Sequence, residues 1–187
     1  MNKHSIFVRF LDCLRIYCQP MYERLRKPLN QEILDQISDP NLRQVYAESD
    51  GIAYEIELPT NAFDITGFGV ISPYANAVQV KEEKSISKYW KNSFFPLITS
   101  YGGDYLLLEC DIKEVDYGMI YLYSPSLGYV DQLVTCFDSK ESMFNTVAIC
   151  FESQIFKYNI SENILQIDYD AYFEVAKVNN PNSEYWK

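Results

Sequence analysis

Asp104, Glu109, Asp111, Glu114 and Asp116 put five carboxylates into thirteen residues. Acids this close could share a proton for general acid–base work, or hold a hard cation through oxygen ligands. An EF-hand loop needs acids at alternate positions, a central Gly and a distal Glu ahead of a helix. That pattern is absent. The run reads as solvated hairpin acids, with a recognition patch for a basic protein as the functional alternative. In that alternative Glu109, Asp111, Glu114, Asp116 and Tyr117 are the partner-binding residues. They combine charge for an interface rim with an aromatic for its centre.

Other chemistry has little to draw on. Cys13, Cys18, Cys110, Cys136 and Cys150 sit among apolar neighbours and form no Cys-x-x-Cys pair. They read as reduced, buried and inert thiols. His4 is the single histidine, so neither a histidine metal site nor a Cys–His pair is expected. Gly102-Gly103-Asp104 lacks the spacing, the Lys and the following helix of a phosphate loop, and reads as a tight turn between strands. Gly67-Phe68-Gly69 reads as a bend or a close backbone approach. The expectation is a chain with no catalytic, cofactor-binding or metal-binding residues, and hence no enzyme.

Charge limits the partners. Residues 1–28 hold six Lys/Arg against two acids, and the rest of the chain holds ten against 24, within a formal net charge of −10. A field of that sign repels phosphate backbones, so nucleic acid is excluded as a partner and a basic protein is favoured. No small-molecule substrate is expected. Arg9, Asp12 and Arg15 interrupt the stretch where the apolar core of a signal peptide would lie, and no run approaches the ~18 apolar residues of a membrane span. A cytoplasmic location, with no membrane partner, is the expectation.

The elements that must position these groups follow from periodicity. Phe7, Phe10, Leu11, Leu14, Cys18, Met21 and Leu25 predict a basic amphipathic helix over 5–26, interrupted at Pro20 and packed on a main domain over 29–187. A short helix is expected over 30–37. Asp39 caps and Pro40 opens another, which Gly51 ends. Residues 52–58 alternate as a half-buried strand, and 67–71 form a weaker one. Ser72-Pro73 opens a helix over 73–90. Phe94–Thr99, Asp104–Cys110, Gly118–Ser124 and Gln132–Phe137 are four strands joined as antiparallel hairpins. Leu106-Leu107-Leu108 marks a central strand covered on both faces. Asp138, with Glu141 as box partner, caps a helix to about Gln154 whose inner stripe is Met143, Phe144, Val147, Ala148 and Phe151. A loop follows Tyr158, and Asp168 opens the last helix. The fold class is α+β: a bent, mostly antiparallel sheet flanked by helices.

Four stretches together resemble the SUKH superfamily, the SMI/KNR-type domain that includes bacterial toxin-immunity proteins. They are Pro40-Asn41-Leu42…Tyr46…Asp50-Gly51; Ser100-Tyr101-Gly102-Gly103-Asp104-Tyr105-Leu106-Leu107-Leu108; Gly118-Met119-Ile120-Tyr121-Leu122-Tyr123; and Phe137-Asp138-Ser139…Glu141-Ser142-Met143. The tail Ala176-Lys177…Asn180-Pro181…Tyr185-Trp186 is similar to a frequent bacterial ending in that superfamily. The resemblance implies a SUKH-like fold without catalysis. It implies an immunity protein that binds and neutralises a cognate bacterial toxin domain, nucleases among them. The alternative it leaves open is a regulatory or scaffold protein like the fungal members. It assigns no residue a role.

Overall fold

A computed structural model describes residues 5–52, 57–83, 88–100 and 102–187. Leu106, Leu107 and Leu108 have no solvent exposure, which a strand achieves only when both its faces are covered. Their strand, β3 (Tyr105–Glu109), is the middle of five in the order β1 (Val70–Ile71), β2 (Phe94–Thr99), β3, β4 (Ile120–Ser124) and β5 (Tyr129–Phe137). Every neighbouring pair is antiparallel. Register shifts between Pro96 and Ile98 and at two places between β4 and β5 add residues to one strand, which bends it. Pro96, which has no N–H to donate, lies beside the shift, while β1 pairs only with Ile98 and Thr99.

Alternation along β3 splits the interior in two. Leu106 and Leu108 join the main core, whereas Tyr105 and Leu107 join a smaller cluster with Trp90, Phe94 and Tyr123 on the opposite face. The main core is closed by helices. Helix α1 (Ile6–Tyr17) ends at Cys18, and α2 (Gln19–Glu23) restarts with Pro20 in its first turn, where a missing N–H costs nothing. Phe7 and Phe10 meet Phe144 at ring-centroid distances of 4.6 and 5.0 Å. Phe144 belongs to α6 (Lys140–Glu152), and Arg9 ties the same two helices by a 2.5 Å bond to Glu152. The N-terminal helix therefore shares the main core with the rest of the described chain.

Short helices α3 (Gln31–Leu34) and α4 (Pro40–Tyr46) follow, the latter capped by Asp39 as expected. Gly51 does not end α4, which stops at Tyr46. Gly51 has φ +73°, and a Cβ there would lie 2.4 Å from the Ile71 carbonyl oxygen. Gly69 answers the same constraint, since its Cβ would meet the Thr99 carbonyl oxygen at 2.1 Å. Of the strand expected over 52–58, residues 53–56 lie outside the described residues; Ile52 bridges Leu25. Helix α5 (Tyr74–Glu82) ends well before residue 90. Its first N–H is capped from a distance by the Asp50 carboxylate at 2.8 Å, not by Ser72.

Two expectations near the C-terminus are corrected. Ser139, not Asp138, caps α6, and its box partner is Ser142, not Glu141. The Ser139 and Ser142 hydroxyls satisfy each other's backbone N–H, while Asp138 turns to Asn182. The loop expected after Tyr158 is a hairpin, β6 (Phe156–Asn159) with β7 (Ile164–Ile167), leading into α7 (Tyr169–Asn179) under its Asp168 cap. The tail then docks on β5: Ser183 and Tyr185 bond Thr135, and Trp186 is buried.

Candidate functional site

The carboxylates read from the sequence meet at the end of β3, and the strand's alternation decides which way each points. Tyr105, Leu107 and Glu109 share the face covered by the smaller aromatic cluster, so Glu109 turns inward and has no solvent exposure. That corrects the expectation of an exposed Glu109. Its Oε1 accepts the Asp111 backbone N–H at 2.9 Å and its Oε2 faces the Lys91 ammonium at 3.4 Å. Lys91 also lies 3.3 Å from both Glu114 and Asp116, and over the Phe94 ring at 5.4 Å. One ammonium therefore serves three carboxylates.

Register explains why Lys91 is there. Phe94 pairs with Glu109, and Cys110 N–H donates to the Ser93 carbonyl, so the residues just before β2 run beside the loop that leaves β3. The Gly102-Gly103 turn sets that register. The Ser100 hydroxyl accepts the N–H groups of Gly102 and Asp104 at 3.1 and 3.2 Å, with Gly103 at φ +79°. The turn is structural, as its spacing indicates.

The loop over 110–119 is held from several sides. Glu114, Tyr117, Gly118 and Met119 donate backbone bonds to Asp111, Glu114, Glu109 and Asp116. Tyr121 on β4 donates its hydroxyl to Asp116 in a short hydrogen bond. Tyr117 donates to Asp39 at 3.0 Å, the carboxylate that also caps α4. Burial, then the Asp39 bond, pushes the Tyr117 hydroxyl up to about 12. Burial raises Asp116, but the bonds from Tyr121 and Lys91 outweigh it and hold the carboxyl below its ordinary value. Lys91 is the mirror case: burial lowers it, and Glu114, Asp116 and Glu109 carry it above its ordinary value.

The five residues read as partner-binding thus divide. Glu109 and Asp116 brace the loop from within. Tyr117 is half-buried and spent on Asp39. Asp111 is half-exposed and Glu114 exposed. Ile112 is 73% exposed and Val115 wholly so, two aliphatic side chains standing out between the acids. The charge pattern of the sequence marks neither. Tyr105 and Tyr123, which charge-plus-aromatic reasoning would put on the same surface, are buried in the smaller cluster.

Chemically, oxygens of Glu109, Glu114 and Asp116 lie within 4.8 Å of one another, close enough to surround a cation, and the Lys91 ammonium holds that place. The thiols are all free and all shifted toward the neutral form by burial; Cys13 and Cys18 rise to about 11 and Cys150 to about 12. Cys110 is the partly exposed member, just past β3, rather than a core residue. A neutral thiol is a poor nucleophile at physiological pH. No helix among the described residues is long and apolar enough to cross a membrane.

No protein-family model matches the chain, and no curated protein matches it either.

Proposed function

We propose that this protein is a non-catalytic binder that captures a basic protein domain through the loop over 110–117, in the role of an immunity protein neutralising a cognate bacterial toxin domain. The observation that carries the binding role is the loop itself. It exposes Ile112 and Val115 on a backbone fixed by Lys91, Tyr121 and Asp39. A fixed loop loses little conformational freedom on binding, so more of its contact energy is realised as affinity. Aliphatic anchors ringed by Asp111 and Glu114 have the centre-and-rim composition of a recognition patch. The surrounding negative charge steers a basic partner and repels phosphate. A nuclease fits that description, because it must present a basic cleft to its own substrate. The immunity role itself is supported by the motif resemblance in the sequence.

Where a toxin domain is encoded beside this chain, the test is co-purification and calorimetry with it; a neighbourhood without one would count against the immunity role. Val115→Asp should weaken binding by at least about tenfold, roughly 1.4 kcal/mol. Asp111→Lys with Glu114→Lys should do the same; because Glu114 faces Lys91 at 3.3 Å, thermal unfolding of this variant is measured beside its affinity. Full affinity in both variants would remove the loop from the interface.

A further inference from the structure

A second concave surface lies where the C-terminal tail packs over α7. Asp64 and Gly67, from the 3₁₀ turn Ala62–Thr66 and its cap, face Tyr169, Tyr172, Phe173, Tyr185 and Trp186 across a cleft of about 530 Å³. The rings stand in several planes. Tyr185 and Phe173 make angles of 88° and 73° with the Trp186 ring, at centroid distances of 4.8 and 5.8 Å. Tyr169, more than half exposed, donates its hydroxyl to Asp64 Oδ2 at 2.6 Å. Beneath them two polar groups are buried without a partner among the described residues: the Tyr172 hydroxyl and the Trp186 indole N–H. Gly67 lies beside that floor, where a Cβ would stand in ordinary contact at 3.5 Å from Trp186 and 3.8 Å from the Tyr172 oxygen.

Among the described residues Asp64 is the one charged residue lining the cleft. In sequence Asp168, Asp170 and Glu184 flank the lining tyrosines, and Lys187 follows Trp186. Asp168 caps α7 and Asp170 sits in its first turn, so the positive end of that helix is already answered by acids.

We propose that the cleft binds the guanidinium of an arginine side chain presented by a protein partner. Aromatic surface attracts a cation through its ring faces, and a planar guanidinium stacks on rings where an ammonium cannot. Asp64 supplies the opposite charge, and its second oxygen, without a partner among the described residues, can accept a guanidinium N–H. The Tyr172 oxygen and the Trp186 N–H are sealed from the surface, so they join such a contact only where a lining ring shifts aside. That the arginine is carried by a protein rests on the binding role proposed above; the chemistry of the cleft does not.

The test uses the full chain alone, followed by ¹H–¹⁵N NMR, with blocked arginine (acetyl-arginine methylamide) as the probe. Blocked citrulline has nearly the same shape without the charge. Arginine should give saturable shifts centred on Gly67, Tyr169, Phe173 and the Trp186 indole. Citrulline should bind about fivefold more weakly, the size of a partly desolvated cation–π contact. Asp64→Asn should narrow the difference between the two probes, leaving the part that the ring faces supply. Tyr169→Phe, which keeps the ring and frees Asp64, should leave the full difference. Shifts that are equal for both probes, or that fall elsewhere, or that never saturate, would overturn the proposal. Because no toxin domain is in the tube, its failure is distinct from a failure of the loop over 110–117.

Discussion

Glu109 is a carboxylate with no contact with water, and such a group must keep a cation or several N–H donors near it, because an isolated buried charge costs several kcal/mol. Lys91 and the Asp111 amide meet that need, although Lys91 is half-exposed and its contacts of 3.3–3.4 Å are loose. Lys91→Met should therefore destabilise the fold by about 1–3 kcal/mol, less than a wholly buried pair would lose. Adding Glu109→Gln should recover part of that loss, and urea unfolding of the single and double variants measures both. Asp116 gives a pH test. Its folded pKa is depressed, so its contribution to stability is full above the ordinary carboxylate value and is lost as pH falls through the lowered one. Tyr121→Phe removes a donor to the charged form, so the Asp116 carboxyl should titrate at a higher pH by carbon-detected NMR. An unmoved midpoint would mean that the Tyr121 bond does not hold it down. The sequence showed the acids but not their division. Glu109 reads like Asp111 until the strand's two faces are known to be equally covered, and Lys91 enters only through the register of β2 on β3.

The elements themselves were largely legible. Phe94–Thr99 is found where expected, and the unbroken apolar run at Leu106–Leu108 does mark the central strand. The α6 cap is one residue off because Asp138 and Ser139 are both good capping residues. Only the reciprocal bonds between Ser139 and Ser142 decide between them. Ser139→Ala should cost about 1 kcal/mol in urea unfolding, and Asp138→Ala, whose partners are exposed, distinctly less. The β6–β7 hairpin is not legible in the sequence because its strands are four residues each and the asparagines around its turn dominate the pattern. Helix α1 is a core element rather than an appendage. Phe10 is 2% exposed against Phe144, so Phe10→Ala should cost about 3–5 kcal/mol by thermal or urea unfolding. A helix merely resting on the surface would lose a fraction of that.

At the scale of the molecule, charge and shape are divided between two parts of the surface. The loop after β3 displays aliphatic side chains among acids, and the cleft beneath the tail displays aromatic rings around one. Neither is visible as a motif. Exposure of Ile112 and Val115 follows from how the loop is pinned, and the cleft assembles residues from positions 64 to 186. The net charge of −10, by contrast, is read directly and acts at long range. Over a Debye length of about 8–10 Å its steering is strong at low salt and largely screened at high salt. The most direct measurement is the association rate with a basic toxin domain across ionic strength, by stopped flow, for the native chain and for Asp111→Lys with Glu114→Lys. A rate that falls steeply with salt in the native chain, and starts lower with a flatter slope in the variant, is the expected result. A rate indifferent both to salt and to those two reversals would contradict capture of a basic partner by this loop.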